Sequence, residues 1–142
     1  MPYTIVMRVL GVDYGERKIG LAKAALGTPA VPLLILENRG RKKLLAQLSE
    51  LCTREGITEV VVGLPVSLGG KSTSDTASAV NTFVRALEQQ TSLPVHLVDE
   101  RLTTRAAQRL QDDSRQPDDA VAAMLILQSW IDNHHPAGGG IP

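Results

Sequence analysis

Carboxylates at three distant points of this chain have the type and placement to hold a divalent metal ion for phosphodiester cleavage. Asp13 stands in GVDYGERKIG (11–20) after the apolar run IVMRVL, Glu100 stands in VDERLTT, and Asp118 and Asp119 precede AVAAMLILQSW. Carboxylate oxygens suit hard ions such as Mg²⁺ or Mn²⁺, which tolerate several waters. Two such ions about 4 Å apart can activate a water and stabilise the leaving oxygen of a phosphodiester.

Each acid also has a plainer reading. Asp13 could open a turn whose glycines supply unusual dihedrals. Glu100 could pair with Arg101 at a strand end, and since Asp99 and Glu100 alternate in direction, at most one of them points at the sheet end. Asp118 and Asp119 open a helix, where the dipole favours acids whatever their role. For Asp13 the balance tips toward metal: an acid closing an apolar strand is costly without a partner. Gly11 and Gly15 beside it would leave room for a bulky substrate to approach the backbone.

An acid in a glycine turn can instead cradle nucleotide phosphates. That reading needs a cleft between two large lobes. At 142 residues the chain suits one domain, and no second GVDYG occurs. A phosphate-loop ATPase is therefore disfavoured. Transition-metal sites are disfavoured as well, since Cys52 falls on a helix stripe and His134 and His135 fall in the tail. No serine-histidine or cysteine-histidine arrangement argues for a covalent intermediate.

The lone Cys52 rules out an internal disulfide and fits a reducing compartment. No apolar stretch approaches the roughly 18 residues of a membrane span, so a cytoplasmic location is expected. Formal net charge is zero, yet unevenly spread: residues 1–71 hold 10 Lys and Arg against 6 Asp and Glu, and residues 72–142 hold 5 against 9.

The elements that must position the acids follow from periodicity. Residues 5–13 read as a buried strand, with two more at 19–26 and 31–38 joined by short turns, which implies an antiparallel meander. RKKLLAQLSELCTREG changes to a helical period, with Leu44, Leu45, Leu48, Leu51 and Cys52 on one stripe and Gly56 as a stop. A strand at 58–65, a helix bearing Val80, Phe83, Val84 and Leu87, and a strand at 94–99 follow. A short helix opens near Thr103 or Thr104, and a last one spans about 117–131. Ser74 or Asp75 would cap the second helix, and Pro117 suits a first helical position. This order predicts an α/β ribonuclease H-like fold, a mixed five-stranded sheet in the order 3-2-1-4-5 flanked by helices. The domain covers residues 1–133, and 134–142 form a flexible tail. Two strand spacings, roughly 10 Å, separate the strands of Asp13 and Glu100. Gly63 on the strand between leaves that space free of a side chain.

With these residues in hand, the chain resembles the YqgF family, Holliday junction resolvase-like proteins to which pre-16S rRNA processing is ascribed. GVDYGERKIGLA resembles the family's first-strand motif, VVGLP its fourth strand, VHLVDERLTTRAA its fifth-strand motif and DDAVAAMLILQSWID its last helix. The resemblance implies catalytic, metal-holding acids at Asp13, Glu100 and the acid leading the last helix. The spacing acid-x-x-Ala-Ala selects Asp119, with Asp118 in reserve. Arg101, Thr103 and Thr104 would position the Glu100 loop or a phosphate. Arg17 and Lys18, with Lys71 and Arg115, would meet the nucleic-acid backbone.

Two departures stand out. LGGKSTSDTA replaces a glycine-rich turn ending in Gly-Pro. Before the last helix, where the family carries a basic loop, this chain follows LTTRAAQR with LQDDSRQPD, acidic apart from Arg115. The implied activity is metal-dependent hydrolysis of structured RNA or branched or single-stranded DNA, foremost maturation of the 5′ end of pre-16S rRNA. Holliday junction resolution is the alternative, and would need a homodimer to make paired cuts. A non-catalytic nucleic-acid-binding module is the third reading, and it predicts binding insensitive to Asp13.

Overall fold

The first strand is a continuous run buried on both faces, as a central strand must be. The computed structural model describes residues 7–64, 74–99 and 119–134. Five strands, β1 (Arg8–Asp13), β2 (Lys18–Ala25), β3 (Val31–Glu37), β4 (Glu59–Leu64) and β5 (Val95–Asp99), form one sheet in the order β3-β2-β1-β4-β5. The first three are antiparallel neighbours, and β4 and β5 run parallel to β1. The expected mixed sheet and its order are observed.

Helices α1 (Arg41–Glu55) and α2 (Ser74–Thr91) cover one face, and α3 (Asp119–His134) covers the other. Leu10 and Val12 of β1, Ile19 and Leu21 of β2, and Val60 and Val62 of β4 join the α1 stripe and Val80, Phe83, Val84 and Leu87 in the first core. The stripe residues Leu44, Leu45, Leu48, Leu51 and Cys52 are buried as expected. Gly56 ends α1 in the left-handed region (φ 67°), its N–H and that of Ile57 donating to carbonyls of the last turn.

The α3 face is built differently. Val9, Ala22, Ala24, Ala30 and Val61 meet Ala123, Ile126, Leu127 and Trp130. Small residues on both sides bring the helix close to the sheet. A Cβ at Gly11 would lie 2.8 Å from the Leu127 Cβ and 3.0 Å from the Ala123 carbonyl oxygen; one at Gly63 would lie 2.4 Å from Ile126 Cδ1. These positions correct the sequence reading. Gly11 makes room for α3 rather than for a substrate, and the space at Gly63 is filled by Ile126.

Specific contacts fix the direction of α3. Gln128 accepts from the Ala30 N–H (2.8 Å) at the β2–β3 turn, and Trp130 is stacked between His96 of β5 and His134. Glu59 holds the other side of His96 at 2.7 Å. The helix continues through His134, where the tail was expected to begin; its Nδ1 lies 2.9 Å from the Trp130 carbonyl, anchoring the last turn. The expected short helix near Thr103 lies outside the described residues. No helix among those described is long and apolar enough to cross a membrane.

Burial pushes the Cys52 thiol up to about 11 from 9.0. Two consequences are expected. At pH 8 a thiol reagent should modify the native protein far more slowly than the protein in denaturant, which a timed absorbance assay measures. Because the folded-state pKa is raised, the stabilisation is complete below about pH 9 and is lost as pH rises toward 11. Replacing Cys52 with alanine should flatten that loss in urea titrations.

Candidate active site

Alternation along β1 puts Val9 and Gly11 on the α3 face, so Asp13, two residues on, is carried to that face at the strand's C-terminal end. Asp13 is 8% exposed and, with Ser129, is one of two buried polar side chains among the described residues. Its partners in register are Gly20 on β2 and Gly63 on β4. Glycine on both sides means that neither flanking rung of the sheet puts a side chain beside the carboxylate. Gly20 went unnoticed in the sequence; the signal for it was its place in KIGLA, opposite Asp13 across a short turn.

Helix α3 runs back along this strand. Its Ala123 sits over Gly11, and Asp119, the first helical residue, lies one turn earlier. Those four residues advance about 6 Å, close to the roughly 7 Å from Gly11 to Asp13 along the strand. The first turn of α3 is thus delivered to the edge of the sheet that Asp13 occupies. Asp99 ends β5, paired with Leu64, one residue beyond the Asp13–Gly63 rung. Strand β4 separates β5 from β1, as expected. The remaining site residues, Glu100, Arg101, Thr103, Thr104, Arg115, Asp118 and Lys71, lie outside the described residues.

The turn after Asp13 is held by three contacts. Tyr14 packs its ring on Phe83 of α2 at a centroid distance of 4.6 Å. Asn38, just past β3, donates its side-chain amide to the Gly15 carbonyl (2.9 Å) and its backbone N–H to the Arg17 carbonyl (2.7 Å). Gly15 cannot take a side chain cheaply, since a Cβ there would lie 2.6 Å from the Lys18 carbonyl oxygen. This turn lifts Arg17 and Lys18 into solvent beside the Asp13 edge. Asn38 was missed in the sequence because its role depends on β3 ending beside the β1–β2 turn.

Among the described residues no group of three His, Cys, Asp or Glu side chains is placed to hold a metal ion. Asp13 supplies one buried carboxylate, and oxygen is the donor that Mg²⁺ and Mn²⁺ take.

A family described as RuvX, Holliday junction resolvase, matches residues 7–133. A protein of Moorella thermoacetica named "Putative pre-16S rRNA nuclease" is 42% identical over 134 residues, covering 89% of this chain and 95% of the relative. A protein of the same name from Maridesulfovibrio salexigens is 36% identical over 136 residues, covering 88% and 98%. Among solved structures, RuvC of T. thermophilus in complex with Holliday junction substrate superposes with a TM-score of 0.64. At 15% identity it covers 92% of this chain and 97% of that one, a likeness of fold.

Proposed function

Because this chain belongs to the RuvX Holliday junction resolvase family, we propose that it is a divalent-metal-dependent nuclease hydrolysing phosphodiester bonds in structured nucleic acid. The carrying observation is the buried Asp13 carboxylate, at the C-terminal end of the central strand between two glycines. Ligands gather at such strand ends in open α/β sheets.

Asp13, Glu100 and Asp119, with Asp118 in reserve, are the residues that would hold Mg²⁺ or Mn²⁺. When bound, such ions activate a water for in-line attack and stabilise the leaving oxygen. The chain's own residues do the rest. The Asn38-held turn presents Arg17 and Lys18 to the backbone, and the start of α3 brings Asp119 toward the strand end that Asp13 occupies. Arg101, Thr103 and Thr104 would position the Glu100 loop or a phosphate, and Lys71 and Arg115 would add backbone contacts.

Processing of the 5′ end of pre-16S rRNA is the favoured role, given the names of relatives at 36–42% identity. Holliday junction resolution is the second reading, favoured by the family's own description, and it requires a homodimer. The test is cleavage of a labelled precursor RNA spanning the 16S 5′ end, a single-stranded DNA and a four-way junction, each with Mg²⁺, Mn²⁺ or chelator. Metal-dependent cutting of the precursor at a defined position is expected. Paired symmetric cuts in the junction, with the RNA untouched, would favour resolution. No cutting of any substrate would leave a binding module.

A further inference from the structure

A chain of zero net charge that cuts a polyanion gains from gathering cations on one face, and the stretch LQDDSRQPD before the last helix offers only Arg115. The fold gathers them at the Asp13 edge. Lys18 pairs with Glu37 across β2 and β3, and the two Asn38 bonds tie the β1–β2 turn to the β3–α1 connection. Helix α1 starts three residues after Asn38, with Arg41, Lys42 and Lys43.

Arg17, Lys18, Arg41, Lys42 and Lys43 are all exposed, and none forms an ion pair with another described residue. Arg39 is different, being tied to Glu37 at 2.8 Å. Helical stability does not explain the α1 cations. The first turn of a helix favours acids; α1 has none there and no side-chain cap on Gly40. Their apolar neighbours Leu44 and Leu45 carry the packing.

We infer that the substrate's phosphodiester backbone, on one side of the bond cut beside Asp13, runs across this face and is contacted by Arg41, Lys42 and Lys43. The inference rests on the nuclease reading and extends it to a second contact region. Two strand spacings, roughly 10 Å, separate β1 from β3, and α1 lies in the layer on the sheet face opposite Asp13, so these contacts fall at least about three nucleotides from the bond cut at ~3.4 Å per step along a duplex strand. The three cations set affinity and register; the chemistry stays at Asp13.

The test measures binding by fluorescence anisotropy, in chelator so that nothing is cut, for a single-stranded RNA, an RNA hairpin and a four-way DNA junction across a salt series. The full chain would be compared with the triple variant Arg41→Gln, Lys42→Gln, Lys43→Gln, and with Arg54→Gln, Arg85→Gln as a charge control away from this face. Glutamine keeps helical propensity, and thermal melts check folding. The triple variant should bind more weakly, its salt dependence reduced by about one unit of log–log slope for each phosphate no longer neutralised. The control should match wild type. A triple variant with wild-type affinity and slope, while wild type binds and cleaves, overturns the inference and leaves the nuclease standing. Equal losses in triple and control overturn it too, because the effect is then not local. A wild-type protein that neither binds nor cleaves overturns both. The substrate showing the loss identifies RNA or DNA as what this face reads.

Discussion

Replacing Asp13 with asparagine is expected to abolish metal-dependent cleavage while leaving the fold intact. The amide has the carboxylate's shape but no charge, so a hard cation loses its anionic ligand at the one described acid that is both buried and at the sheet edge. Partners that merely orient metal ligands command roughly 10–100-fold in affinity or activity, so losing a ligand should cost more than about a hundredfold. The amide keeps the carboxylate's volume, so the variant is expected to remain folded. Single-turnover cleavage beside a thermal melt separates the two effects. Cleavage within a few-fold of wild type, in a folded variant, would remove Asp13 from the metal site and the proposed mechanism with it.

The second large effect is expected at Gly11. A methyl group there would sit 2.8 Å from the Leu127 Cβ and 3.0 Å from the Ala123 carbonyl oxygen, neither of which is the end of a flexible side chain. Helix α3 must then move off the sheet. Overpacking of this kind costs about 1–3 kcal/mol, set against the roughly 0.5–1 kcal/mol that alanine gains over glycine within a strand. Gly11→Ala should therefore lower the urea midpoint without changing the slope of the transition, and Gly11→Val should lower it further. Activity should fall more than stability alone requires, since the first turn of α3 is displaced from Asp13. Gly63→Ala makes a useful contrast. Its clash is with Ile126 Cδ1, a side-chain terminus, so adding Ile126→Val should restore much of the lost stability. No comparable rescue exists at Gly11, where one opposing atom belongs to the backbone. Gly11→Ala with wild-type stability and activity would show that α3 is free to shift, and that the site does not depend on its close approach.

Much of this protein was written in local sequence. The meander of three closely spaced strands, the stripe Leu44, Leu45, Leu48, Leu51 and Cys52, the stop at Gly56 and the strand order all follow from periods of two and 3.6 and from loop length, which are properties of neighbours along the chain. Asp13 was legible for the same reason: an acid closing an apolar strand violates its own local pattern. What local sequence left undecided depends on contacts between distant segments. Gly11 looked like space for a substrate and Gly63 like a gap between the strands of Asp13 and Glu100, and only the docking of α3 revealed that Leu127 and Ile126 occupy them. Gly20 and Asn38 acquired roles only once register put one beside Asp13 and the other against the turn that follows it. The basic face is of the same kind. Arg17 and Lys18 are separated from Arg41, Lys42 and Lys43 by more than twenty residues, and two hydrogen bonds from Asn38 place them on one edge. The sequence by itself determined which segments are strands and helices and which acid is out of place, because those are encoded in side-chain period. The tertiary structure alone decided which residues face one another, because that is settled by register and by how closely a helix can approach a sheet.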